Sequence, residues 1–192
     1  MTGRTHDLAA FTALGVVFMA APPSQISLGT VLVALLANQI GGIIPDIDQP
    51  TAPFWRNLPI GGVFGKIISK GMGGHRFITH SIVGLVCFGF LSQALLRILH
   101  PIMPHINITI VWWAFMIGMF SHLVMDSFTK EGVPWLLPLP IKFGFPPIRR
   151  LRVTSGKSIE LLVLFPALIV ANIILYSRHY AFVMHFLHTQ IH

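Results

Sequence analysis

From Ile26 to Ile44 the chain runs without a single ionisable side chain, and three later stretches of similar length come close to the same purity. That pattern limits the fold more than any other feature. A helix needs about 20 predominantly apolar residues to cross the ~30 Å hydrocarbon core of a bilayer. Five apolar segments stand out, at 8–21, 26–44, 78–99, 108–127 and 159–177, and the last four reach that length. Breakers separate them: Pro22-Pro23, Pro45, Pro101 with Pro104, and the stretch 134–147. Charged residues make up 10% of the chain, against about 25% in a soluble domain, and mean hydropathy is +0.74. A surface facing water cannot be covered with so few charges. The sequence reads as an all-α integral membrane protein, one domain over 1–192 with about five transmembrane helices.

The first segment is short and follows Arg4, as a secretory signal would. His6 and Asp7 abut it directly, however, and more spans follow, so it reads as a retained first helix. Cys87 is the single cysteine, which excludes an intramolecular disulfide. Within loop 46–77, the stretch 61–72 places Val63, Phe64, Ile67 and Ile68 among Lys66 and Lys70, the pattern of a short interfacial helix.

With five spans, one side receives the N-terminus, loop 46–77 and loop 128–158. That side then carries 11 of the 13 basic residues, leaving Arg97 and Arg178 for the other. Lys and Arg concentrate on cytoplasmic loops, which predicts a cytoplasmic N-terminus and a periplasmic C-terminus. The net charge of +7 therefore reads as topology, with R-R-L-R at 149–152 as an anionic-lipid contact rather than a nucleic-acid patch. Trp112 and Trp113 suit the opposite interfacial belt. All six acids (Asp7, Asp46, Asp48, Asp126, Glu131 and Glu160) also fall on the basic side. Carboxylates contribute little to orientation, so their placement asks for another cause.

Every span contributes polar groups to that one face. His6 opens the first, and Asp46 and Asp48 close the second in I-P-D-I-D. His75, Arg76, Thr79 and His80 open the third, His122 and Asp126 end the fourth, and Glu160 opens the fifth. His122 and Asp126, spaced i and i+4, share one side of a helix. Asp46 and Asp48 point the same way if the backbone beyond Pro45 is extended. His nitrogens with carboxylate oxygens are the ligands of a zinc-like or manganese-like divalent ion, and so many donors suffice for one or two ions. Asp46, Asp48, His122 and Asp126 lead as ligands, with His6, His75 and His80 next. An unligated His, first of all His80, can act as general acid or base. Arg76 offers a planar, permanently charged fork for a substrate anion. Taken singly, each group has an ordinary reading: a helix-end turn for the two Asp, interfacial imidazoles for His75 and His80. Ionisable groups inside a span are less readily dismissed. His100, His105, His179, His185, His188 and His192 fall on the other side or the tail and read as solvated.

The segments I-P-D-I-D-Q-P, G-H-R-F-I-T-H-S and S-H-L-V-M-D-S-F-T-K-E-G-V-P-W-L-L-P, with T-H-D-L before them, resemble the YdjM family. That family comprises bacterial inner-membrane proteins described as LexA-regulated, membrane-bound metal-dependent hydrolases. The resemblance implies that His6, Asp46, Asp48, His75, Arg76, His80, His122 and Asp126 occupy its motif positions. Gln49 and Phe77 depart from it, standing where His and Gly are common. The expectation is a metal-dependent hydrolase opening at the cytoplasmic bilayer surface, acting on an ester or phosphoester of an amphiphile such as a phospholipid. The alternative is a transporter or sensor holding the ion without chemistry. A transporter site usually lies near the bilayer midplane, whereas these acids crowd one interface.

Overall fold

The computed structural model describes residues 1–52, 55, 58–71, 76–139 and 141–190. His75, Arg56 and His192 lie outside the described residues. Seven α-helices occur among those described: α1 (Gly3–Ala20), α2 (Leu28–Ile43), α3 (Gly61–Gly71), α4 (Ile82–Leu99), α5 (Ile108–Ser127), α6 (Phe165–Arg178) and α7 (Tyr180–Gln190). The described residues form no strands, only two isolated β-bridges.

Four segments are long and apolar enough to cross a membrane: Leu28–Asp48, Ile82–Ile102, Ile108–Ser127 and Glu160–Arg178. They match the last four predicted spans. The first predicted span forms α1, which falls outside this set because Arg4, His6, Asp7 and Thr12 interrupt its first turns. α1 packs against α2, α5 and α6. The predicted interfacial helix forms as α3, with Val63, Phe64 and Ile67 exposed on one face.

The tightest packing is between α2 and α5, and glycine makes it possible. A Cβ on Gly41 would stand 2.1 Å from the Phe115 carbonyl oxygen, and one on Gly118 2.0 Å from that of Asn38. Small residues at such a crossing let two backbones approach where lipid supplies no hydrophobic drive. The Asn38 amide donates across the contact to the Ala114 carbonyl at 3.0 Å. Met119 and Leu123 continue the interface, both fully buried. Its consequence is positional: the end of α2 comes to rest beside the last two turns of α5.

Beyond Ile43 the chain differs from the extended segment expected there. Pro45, which lacks an N–H and fits a first helical turn, starts a 3₁₀ turn over Ile44–Asp48. At three residues per turn, side chains two apart point in different directions. Asp46 and Asp48 therefore diverge. Loop 128–158 folds back under the helices. It pairs Thr129 with Val153 and Val133 with Phe143, and the Ile82 N–H donates to the Trp135 carbonyl at 3.1 Å.

Candidate metal centre

Four elements meet at the side where the acids were expected. α1 brings His6, the 3₁₀ turn brings Asp46 and Asp48, the turn before α4 brings Thr79 and His80, and α5 brings His122 and Asp126. His6, Asp48, His80, His122 and Asp126 have lost essentially all contact with solvent, while Asp46 remains 27% exposed.

Two sets of three side chains place their donor atoms within 4.8 Å of one another: His6, His122 and Asp126, and Asp46, His80 and His122. His122 belongs to both. Its Nδ1–H donates to the Gly42 carbonyl at 2.6 Å, which commits that nitrogen and fixes the tautomer. The other nitrogen, Nε2, is buried without a hydrogen-bond partner. It lies 3.6 Å from Asp46 Oδ1 and 3.8 Å from Asp126 Oδ2. His80 Nε2 stands 3.6 Å from the same Asp46 oxygen and 3.5 Å from the same Asp126 oxygen. Ligands ~2.0–2.1 Å from a tetrahedral zinc are ~3.3–3.4 Å apart. All four imidazole–carboxylate separations are within about 0.5 Å of that edge. Each of the two three-residue sets could therefore hold a metal ion.

Behind His80 stands a polar chain. Its Nδ1–H donates to Thr79 Oγ1 at 2.9 Å, and the Thr79 hydroxyl donates to Asp48 Oδ2. Asp48 also accepts the Arg76 backbone N–H at 2.9 Å. The chain leaves His80 Nε2 aimed at the cluster with its lone pair forward, the arrangement by which outer carboxylates orient metal-bound histidines. Asp48, expected as a leading ligand, thus sits behind His80. It is absent from both three-residue sets. Burial pushes the His80 imidazole down, but the carboxylates of Asp126 and Asp46 facing it outweigh that effect and raise the pKa.

Arg76 is buried, with its backbone in the left-handed region at φ +59°. A non-glycine residue there is uncommon and held by its surroundings. Its Nη2 lies 2.5 Å from Asp126 Oδ2. Its Nη1 reaches Glu131 Oε2 at 3.1 Å and donates to Thr129 Oγ1 at 3.1 Å. The guanidinium expected to hold substrate is thus engaged by two carboxylates, of which Glu131 is 58% exposed.

Glu160 lies apart from both sets. It is a buried clamp: Oε1 accepts from the Thr2 N–H and the Thr2 and Thr5 hydroxyls at 2.6–2.7 Å, and Oε2 from the Gly156 N–H at 2.7 Å. It ties the first turn of α1 to the π-turn Glu160–Leu164 that opens the last span. Beside the expected His6 stand groups that carried no sequence signal. The Met1 amino group donates to Asp126 Oδ1 at 2.6 Å, and His6 Nε2 stands 3.3 Å from the same oxygen. The His6 ring stacks on His122 with centroids 3.6 Å apart. Thr129 and the Gly42 carbonyl are reached only through the tertiary fold, although Thr129 sits within the T-K-E sequence that follows α5.

A family described as YdjM inner membrane protein matches residues 1–185. Uncharacterized protein YvsG of Bacillus subtilis (strain 168) is 30% identical over 164 residues, covering 85% of this chain and 88% of that protein. No solved structure matches.

Proposed function

This chain belongs to the YdjM inner membrane protein family, and we propose that it works as a metal-dependent hydrolase at the cytoplasmic surface of that membrane. The observation that carries the reading is the buried, partnerless Nε2 of His122, facing carboxylate oxygens of Asp46 and Asp126. With Nδ1 committed to Gly42, this residue has one nitrogen to give, so the two sets of donors cannot each hold an ion through it. One ion follows, held by His122, His80, Asp46 and Asp126, with His6 beside Asp126. A divalent ion there would supply Lewis acidity and bring a water's pKa toward 7.

The chain's own residues divide the remaining work. Thr79 and Asp48 keep His80 facing forward. Arg76 holds Asp126, and its contact with the exposed Glu131 is the one a phosphate oxygen of the substrate can displace, since the planar fork suits either anion. Asp46, the exposed member of the cluster, marks the approach to it. The substrate is an amphiphile carrying an ester or phosphoester at headgroup depth. The basic loop supports contact with anionic lipid: Lys142, Arg149 and Arg150 are exposed among exposed Phe145, Ile148 and Leu151. Arg152 donates instead to the Pro146 and Pro147 carbonyls. The charge distribution supports a cytoplasmic N-terminus and a periplasmic C-terminus.

Near-complete burial of the cluster favours the rival reading, an ion held for sensing or transport. A hydrolysis assay over a panel of phospholipids and lysophospholipids, comparing wild type with His122→Ala, separates the two. Turnover in wild type and none in the variant supports the hydrolase. Metal binding without turnover on any member of the panel supports the rival.

A further inference from the structure

The first turns of α1 carry a second polar group that the metal centre does not use. Arg4 and Asp7, with Gln39 of α2, line one end of a cavity of about 560 Å³ between α1 and α2, walled further along by Leu8, Phe11 and Leu35. Phe11 and Leu35 also line an adjoining cavity of about 480 Å³, whose walls include Phe18, Tyr176 and Phe186. Both volumes fall within the ~300–1,000 Å³ of ligand pockets. Together they make a groove whose lining is almost wholly apolar, with the charged side chains of Arg4 and Asp7 at the end beside the first turns of α1.

The two charged groups at the polar end do not satisfy each other. Arg4 is exposed, and among the described residues no carboxylate lies within ion-pair distance of it. Asp7 is half-buried, and its Oδ1 is shut off from solvent without a hydrogen-bond donor. A carboxylate with one oxygen closed off leaves the other to take a donor, best a cationic one. Arg4 calls for an anion. The pair stands at i and i+3 on one helix face, ~5–6 Å apart at their side-chain roots. A phosphate and an ammonium joined by two carbons present that same short succession of charges. Asp7 leaves α1 about 100° round from His6 and belongs to neither donor set.

We infer that the α1–α2 groove is a binding site for a membrane phospholipid with a zwitterionic, phosphoethanolamine-type headgroup. The phosphate lies on Arg4, the ammonium on Asp7, and an acyl chain follows Phe11 and Leu35 into the adjoining cavity. A headgroup lacking the amine would set its phosphate near an unanswered carboxylate, which selects against purely anionic lipids.

The test is native mass spectrometry of the full-length protein, delipidated in detergent and titrated with synthetic phosphatidylethanolamine or phosphatidylglycerol of identical chains. Wild type retains the first over the second by roughly tenfold, the scale of one charge-assisted hydrogen bond. Asp7→Asn removes the preference, Arg4→Gln weakens both lipids, and Leu35→Trp, which fills the groove, loses both. Metal content stays at the wild-type level in all three variants. That control shows α1 in place and keeps the result separate from the hydrolase reading, because lipid retention is scored whether or not the protein turns over. Equal retention of the two lipids by wild type would overturn the assignment, as would an undiminished preference in Asp7→Asn. If Asp7→Asn fails to accumulate, Arg4→Gln decides: full retention of both lipids there overturns the site.

Discussion

The Nδ1 of His122 lies 2.6 Å from the carbonyl oxygen of Gly42, and this one contact joins the packing of the protein to its chemistry. The carbonyl belongs to the end of α2, which reaches α5 because Gly41 and Gly118 let the two helices close on each other. Loosening the crossing therefore loosens the imidazole.

Gly118→Ala is expected to lower stability by about 1–3 kcal/mol, the usual cost of forcing extra volume into a packed contact. A methyl group there would meet the Asn38 carbonyl, which is backbone and cannot swing aside. Thermal unfolding in detergent checks this. Unchanged stability would mean that the helices do not approach as closely as described.

Thr79→Val keeps the shape of the side chain and breaks the hydrogen-bonded path from Asp48 to His80. Outer-shell changes of this kind typically cost 10–100-fold in metal affinity. Competition against a fluorescent chelator should place the variant about that far below wild type, with metal still bound at saturation. Affinity equal to wild type would remove Asp48 and Thr79 from any orienting role.

Metal uptake should strengthen as pH rises. His80 binds a proton more tightly in the folded, metal-free protein than its ordinary value of 6.5, and the ion needs it neutral. The sign for stability is opposite. Protonated His80 stabilises the metal-free fold fully below pH 6.5, and that contribution is lost as pH rises through the raised folded value. Melting curves with and without zinc across pH 5.5–8.5 should therefore diverge, the stabilisation by zinc growing with pH. A gain from zinc that is flat with pH would contradict a histidine ligand.

Glu160→Ala removes a carboxylate that accepts from four donors, two of them the Thr2 and Gly156 N–H groups. Leaving such donors unsatisfied costs about 1–3 kcal/mol. The variant should melt earlier yet hold its ion at saturating zinc, because Glu160 is outside both donor sets. Loss of metal from a variant that remains folded would make Glu160 part of the centre.

Much of this architecture is legible in the sequence. The last four spans announce themselves because long apolar runs have few alternatives at the bilayer. The cluster is legible because His6, Asp46, His80, His122 and Asp126 are costly anywhere in such a chain and all fall at helix ends on one side. The individual roles are not. Asp48 was expected beside Asp46 as a ligand, and the 3₁₀ turn begun at Pro45 rotates it behind His80. Arg76 was expected to face substrate alone, and the fold also sets its guanidinium, from a left-handed backbone position, against Asp126. Both outcomes depend on local backbone geometry that residue spacing does not encode. The engagement of Thr129, and of Gly42 through its carbonyl, depends on helices far apart in the chain, where no periodicity reports the contact.

The central claim is that His122 gives its one available nitrogen to one divalent ion shared with Asp46, His80 and Asp126. Metal analysis of protein purified without chelator, wild type beside His122→Ala, tests it most directly, with circular dichroism confirming that both are helical. The account predicts one ion per chain in wild type and none above background in the variant. Equal metal in the two, or two ions per chain in wild type, would contradict it.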